Sequence, residues 1–222
     1  MFGIHDFALF VLAGILLNLT PGPDTLYVVA RSSAQGLRAG MIAALGVGSG
    51  CFVHIFAAAV GLSALIVTSA VAFNVVRYAG AAYLVYLGVM TLRGAGAAPV
   101  DTGTALAGTA AAPLATVARG PADPWRIYSQ GLLTNALNPK VALFFLAFLP
   151  QFIVPSAPHK ALAFLLLGLV FDINGTAWLL IVAAMTSGVA RRAAWLAPLR
   201  VWWERAIGVL FVGLGLRLVW QQ

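Results

Sequence analysis

The sequence predicts an all-α integral membrane protein of six transmembrane helices, arranged as a 3+3 inverted repeat with helices one and four broken or kinked. Three observations predict it. The chain has 222 residues, of which 62% are hydrophobic and only 9% charged, with mean hydropathy +0.97. Soluble domains are about 45–50% apolar and about 25% charged. Six stretches are long and apolar enough to cross a bilayer, which takes about 20 residues. Prolines interrupt the first and fourth of these at matching places.

Taken in order, the spans are expected over 7–31, 37–67, 70–92, 127–152, 161–189 and 202–220, several of them long enough to require tilt or kinks. The basic residues set their orientation. Arg31 and Arg38 lie in the loop after span one, Arg93, Arg119 and Arg126 in the loop after span three, and Arg191, Arg192, Arg200 and Arg205 in the loop after span five. All of these fall on one side. The other side carries Lys160, with Arg77 and Arg217 near helix ends and Lys140 inside a span. The positive-inside rule then places both termini outside the cytoplasm, as an even helix count requires. The net charge of +7 is explained by these loops, and a nucleic-acid partner is not expected. The opening MFGIHD has no Lys or Arg and no small-residue cleavage site follows it, so the first apolar run is expected to be a retained helix. With a single cysteine, Cys51, neither an internal disulfide nor a CxxC pair can form.

The segment 94–124 is rich in Ala, Gly, Pro and Thr with little charge; it reads as a flexible cytoplasmic linker. It divides the chain into a first three-helix repeat, 1–93, and a second, 125–222. Three spans per half means that the halves insert in opposite orientations. Leu19-Thr20-Pro21 in span one parallels Leu137-Asn138-Pro139 in span four, and Gly46 to Gly50 in span two parallels Gly168 to Asp172 in span five. Inverted repeats with interrupted helices at matching places characterise many secondary transporters, which bind solute near the midplane between the repeats.

The interruption in span one is NLTPGPDTLYV, Asn18 to Val28. Proline removes a backbone donor and clashes with the preceding turn, so Pro21, Gly22 and Pro23 break helix one, and Pro139 breaks helix four. Backbone groups freed inside a membrane are tolerated only where they are buried in protein or line a wet cavity. Both breaks are therefore expected to face the interior, where carbonyls and half-helix N-termini can bind a polar solute.

Charge within the membrane is costly and marks function. Asp24 follows the first break and is a candidate N-cap for the second half of span one. Asp172 lies within span five, where Gly168, Asp172, Gly175 and Thr176 share one small, polar face. Lys140 follows the break in span four; it either meets a substrate carboxylate or snorkels to an interface. Span two carries two GxxxG pairs, Gly36/Gly40 and Gly46/Gly50, a spacing that lets helices approach closely. Cys51 and His54 lie three apart, but no further ligand completes a metal site, and His54 is expected to be a buried hydrogen-bonding residue.

The series Gly22-Pro23, Gly36, Gly40, Gly46 and Gly50, preceded by Asn18-Leu19-Thr20-Pro21, together with NPKVALFFLAFLPQF from Asn138 to Phe152, resembles the LysE/RhtB family of amino-acid exporters. The resemblance extends over the whole chain and implies efflux of amino acids or close derivatives across the cytoplasmic (inner) membrane of a bacterium.

The reading that follows is a secondary exporter, not an enzyme, with no cofactor and no metal. Its partners are a small amino acid and membrane lipid, and a homodimer is open. Asp24 and Asp172 contact the substrate amine or carry a coupling proton, since burial favours the neutral carboxyl form. Asn18, Asn135 and Asn138 supply neutral hydrogen bonds, with Lys140 a counter-charge. The lone acids and lysine favour a neutral amino acid. Efflux of another small solute, such as a metal ion, is the alternative, and ligand spacing speaks against it. An intramembrane enzyme would need Ser49 and His54, which are poorly spaced for one helix face and belong to no GxSxG or HExxH motif. A purely structural membrane protein would not need buried acids.

Overall fold

A computed structural model describes residues 2–63, 123–154 and 156–188, with isolated helical positions between 71 and 93 and between 205 and 216. Expected spans three and six, apart from those positions, and nearly all of the expected linker lie outside the described residues. Gly88 and Gly208 are described, and they lie back to back: a Cβ on Gly88 would sit 2.7 Å from the Gly208 carbonyl oxygen.

The described elements are helical. Helix α1 is Phe7–Leu19 and α2 is Pro23–Gln35; α3 is Leu37–Ala57, which widens into a π-helical turn over Ala58–Leu62. Helix α4 is Pro124–Ala136 and α5 is Pro139–Ala147, followed by a 3-10 turn over Leu149–Phe152; α6 is Lys160–Gly188. Two helical stretches, Leu37–Leu62 and Lys160–Ser187, are each long and apolar enough to cross a membrane. The pair α1 and α2 meets at 51°, and α4 meets the stretch Pro139–Phe152 at 46°. Each pair is long and apolar enough for one crossing when taken together.

The local chemistry explains these boundaries. Helix α1 ends at Thr20, whose backbone is extended, as the residue before a proline must be. Pro23 then takes the first position of α2, where its missing N–H costs nothing. Asn138 and Pro139 repeat the arrangement at α5, and here the Asn138 side chain caps the helix by accepting from the Lys140 N–H at 3.0 Å. The N-cap of α2 is Gly22, without a side-chain cap, and Asp24 lies inside the first turn. This corrects the expectation of Asp24 as N-cap: Pro23 at the first helical position puts the capping role one residue before it. Gly36 ends α2 and starts α3 with φ of +83°, a left-handed conformation suited to glycine. No neighbour lies within 4 Å of a Cβ placed there, so Gly36 serves the turn and not close packing.

Two apolar clusters form the core. One joins α1, α5 and the first half of α6 through Phe10, Phe144, Phe148, Phe164 and Phe171. The other joins α2, α3, α4 and the second half of α6 through Tyr27, Ala43, Val47, Ile127 and Ala183. Phe10 packs edge-on to Phe152 with ring centroids 5.3 Å apart, and Phe144 stacks on Phe171 at 4.6 Å, geometries that aromatic quadrupoles favour. At the second cluster the Tyr27 hydroxyl donates to the Ile127 carbonyl at 2.7 Å. Arg31 is buried there; its guanidinium donates to the Gln130 side chain and to Tyr27. Outside these clusters large apolar side chains face outward, Phe56 at 57% and Ile173 at 65% exposure. Helices apolar on all sides suit a lipid surround.

The glycines of α3 set how closely the helices meet. A Cβ on Gly46 would collide with the Tyr128 carbonyl, and one on Gly50 with the Leu132 carbonyl, both in α4. Gly131 of α4 returns the contact against the Ala43 carbonyl at 2.7 Å. Gly40 lies against Ser32 and Ala183. These three α3 glycines therefore face neighbours within the chain.

Candidate functional site

The two helix breaks, α3 and the middle of α6 enclose a cavity of about 40 Å³. It is lined by every polar and charged residue that the sequence singles out as a binding or coupling candidate: Asn18, Asp24, Asn135, Asn138, Lys140 and Asp172. They come from five helices or helix ends spread over more than half of the chain. The cavity lies between the two apolar clusters.

Asp24 is its centre. The Asp24 Oδ2 accepts from Asn135 Nδ2 at 2.8 Å and from Asn138 Nδ2 at 2.9 Å. One carboxylate of the first break is thus held by two amides flanking the second. The Asp24 Oδ1 is buried with no hydrogen-bond partner, and so is the Asn135 Oδ1. Asn135 is held from behind by His54, whose Nε2 donates to its carbonyl at 2.9 Å. This gives His54 the buried hydrogen-bonding role expected of it. Orphaned buried acceptors are rare and call for an explanation; here both belong to residues that line one cavity.

Lys140 turns to the backbone at the end of α1. Its Nζ donates to the Leu17 carbonyl at 2.9 Å and the Thr20 carbonyl at 2.7 Å, and its stem passes Gly22. Asn18 reaches α6, donating to the Phe171 carbonyl at 3.4 Å and lying against Gly175. Asp172 accepts from the Thr176 hydroxyl at 3.3 Å, and Cys51 lines the same cavity. Pro21, Gly22, Pro23 and Pro139 sit at the two breaks.

Trp178 and Gly48 are among the cavity residues that escaped the sequence. Trp178 lines the cavity with its indole Nε1 buried and unpartnered. It lies six residues beyond Asp172, and its aromatic character looked like ordinary span composition; the polar face Gly168, Asp172, Gly175 could have been extended to it. Gly48 also lines the cavity: a Cβ there would collide with the Thr176 hydroxyl and lie 3.4 Å from Asp172 Oδ1. It fell between the two members of a GxxxG pair. Ser49 and His54 do not form a dyad, because Ser49 bonds Tyr128 and the Leu45 carbonyl while His54 bonds Asn135. Among the described residues no three His, Cys, Asp or Glu side chains gather as metal ligands do.

Comparison with known proteins adds an independent line. The family profile described as LysE type translocator matches residues 15–222. A leucine efflux protein of Salmonella typhimurium is 32% identical over 221 residues, covering 98% of this chain and 96% of that one. A leucine efflux protein of Enterobacter sp. (strain 638) is 33% identical over 217 residues, covering 98% and 96%. An uncharacterized membrane protein of Pseudomonas aeruginosa is 34% identical over 220 residues, covering 97% and 95%. No solved structure matches.

Proposed function

The chain is a multi-pass membrane protein that belongs to the LysE type translocator family, and from that premise we propose that it exports a neutral aliphatic amino acid, leucine or a close analogue. The observation that carries this reading is the uncommitted Asp24 Oδ1 beside the uncapped N-terminus of α2, in a cavity whose other walls are largely apolar. An amino acid carries its ammonium and carboxylate on adjacent atoms. Asp24 Oδ1 and Asn135 Oδ1 accept from the ammonium. The free N–H groups of the first turn of α2, at the positive end of the helix dipole, receive the carboxylate, with Trp178 Nε1 as a further donor. Leu17, Val47, Val141, Phe171 and Leu179 receive the aliphatic side chain. The names of the leucine efflux relatives support this choice.

In this reading the bent pairs α1–α2 and α4–α5 are each one broken span of a 3+3 inverted repeat, and spans three and six complete six crossings. The protein sits in the bacterial inner membrane with both termini outside the cytoplasm, as the loop arginines favour. The phenylalanine cluster closes the cavity on the outer side. The Tyr27–Ile127 and Arg31–Gln130 bonds close it on the cytoplasmic side, and the two seals open in turn. Asp172, held by Thr176 and apart from the Asp24 amide pair, carries the coupling proton. With Gly40, Gly46 and Gly50 facing internal neighbours, a homodimer uses other surfaces.

The test is counterflow in proteoliposomes with a panel of amino acids, with and without an imposed pH gradient. Saturable exchange of leucine-like substrates, accelerated by the gradient, is expected for the wild type. Asp172→Asn is expected to keep exchange and lose the acceleration; unchanged acceleration would remove Asp172 from coupling. Trp178→Phe keeps the bulk and removes one donor, which is expected to raise the half-saturation concentration about tenfold, the effect of roughly one hydrogen bond. An unchanged value would place the indole outside the substrate site. No exchange of any amino acid by folded protein would overturn the function.

A further inference from the structure

We propose that the ammonium of Lys140 is a tethered cation, occupying a monovalent-cation site at the C-terminal end of α1 that would otherwise take an alkali metal ion. The cavity described above uses Lys140 as lining only; its charged end has a separate environment. Nζ donates to the carbonyls of Leu17 and Thr20, which lie in the last turn and at the cap of α1. The Leu17 carbonyl accepts one capping bond, from the Thr20 N–H at 3.1 Å, which is shared with the Leu16 carbonyl; neither oxygen is taken by a continuing helix. The Leu17 carbonyl would accept from the N–H of residue 21 in an unbroken helix, and residue 21 is proline, which has none. The Thr20 carbonyl is released because the chain turns away at the break. Both sit at the negative end of a half-helix. Unwound carbonyls at half-helix C-termini are the groups that coordinate Na⁺ in broken-helix transporters.

The lysine's own helix does not account for its charge. Lys140 is the second residue of α5, at the end where the helix dipole disfavours a cation. Its position is explained by the carbonyls of α1. The stem passes alongside Gly22, where a Cβ would make ordinary contact at 3.6 Å from Lys140 Cδ and 3.7 Å from Nζ. A side chain from one broken span thus supplies the positive charge that the end of the other requires. The protein carries its own cation, and the exchange of amino acid needs no soluble one. The same contact ties the end of α1 to the start of α5.

The site is tested by removing the tether. Purified wild type, Lys140→Ala and Lys140→Met are melted in NaCl and in choline chloride of equal ionic strength. Na⁺ at about ten times its dissociation constant is expected to raise the melting temperature of Lys140→Ala by roughly 4 °C. It is expected to leave wild type unmoved. Lys140→Met keeps an apolar stem across the site and is expected to respond less than Lys140→Ala. In proteoliposomes wild-type counterflow is expected to agree within twofold in the two salts, with Lys140→Ala at least fivefold faster in NaCl than in choline chloride. A wild type that itself responds to Na⁺ overturns the proposal. So does a folded Lys140→Ala that answers to none of Li⁺, Na⁺ and K⁺. If Lys140→Ala is aggregated in choline, recovery of monodisperse protein by preparing it in an alkali cation supports the site, and failure to recover in all three counts against it. The flux arm rests on the amino-acid reading, whereas the melting arm does not. A wild type that moves no amino acid would sink that reading and leave the cation site to be decided by melting alone.

Discussion

Asp24→Asn is expected to lower amino-acid counterflow by about 100-fold while leaving the protein folded. The substitution is nearly isosteric. Its side-chain oxygen can still accept from Asn135 or Asn138, which now hold Asp24 Oδ2 at 2.8 and 2.9 Å. The negative charge that would meet a substrate ammonium is gone, and the orphaned Oδ1 position becomes an amide oxygen or a donor. A hydrogen bond to a charged group contributes about 1.5–3 kcal/mol, and the upper figure is apt where water is excluded. That is a factor of roughly 100 in affinity. The measurement is counterflow with the leucine-like substrate, beside a melting curve that checks folding. Flux within threefold of wild type would remove Asp24 from substrate recognition and leave it a brace between the two helix breaks.

Gly50→Leu is expected to prevent folding or lower the melting temperature by about 10 °C. A Cβ at this position collides with the Leu132 carbonyl and lies 2.9 Å from the Asn135 Cβ. Both neighbours belong to α4, and the carbonyl is part of a helix backbone that cannot move aside alone. The larger side chain forces α3 and α4 apart, at the upper end of the roughly 1–3 kcal/mol that overpacking costs or beyond it. For a chain of this size each kcal/mol shifts melting by about 2–4 °C. It also moves Asn135, and with it the amide that holds Asp24. Gly61→Leu is the control, because Gly61 has nothing within 4 Å of a Cβ and faces outward. If both variants melt alike, the α3–α4 approach does not limit stability. Gly48→Ala separates fold from function on the same helix: its Cβ points at Thr176 and Asp172 in the cavity, so transport is expected to fall more than stability.

Much of the site was legible because the membrane makes polar groups conspicuous. Asp24, Lys140, Asp172 and the asparagines stand out against a chain that is 62% hydrophobic, and an acid in such surroundings needs a partner. The breaks were legible because proline acts locally: Pro21, Pro23 and Pro139 forbid a continuous helix whatever surrounds them. Trp178 and Gly48 were not legible, since an aromatic or a glycine in an apolar run has many uses. Only the neighbours across the cavity single these two out.

The sequence by itself determined the class of protein, the positions of the helix interruptions and the set of charged residues that had to be buried, because each follows from composition or from local backbone sterics. The tertiary structure decided how that set divides. Asp24 is clamped by the amides of the opposite break, Asp172 stands apart with Thr176, and Lys140 turns to the carbonyls of α1. It also assigned Gly36 to a turn while setting Gly46 and Gly50 against the α4 backbone. The pairings of Asp24 and of Lys140 join residues more than a hundred positions apart. Periodicity within a helix says which face a residue occupies, but which face it meets is set by the packing of the whole bundle.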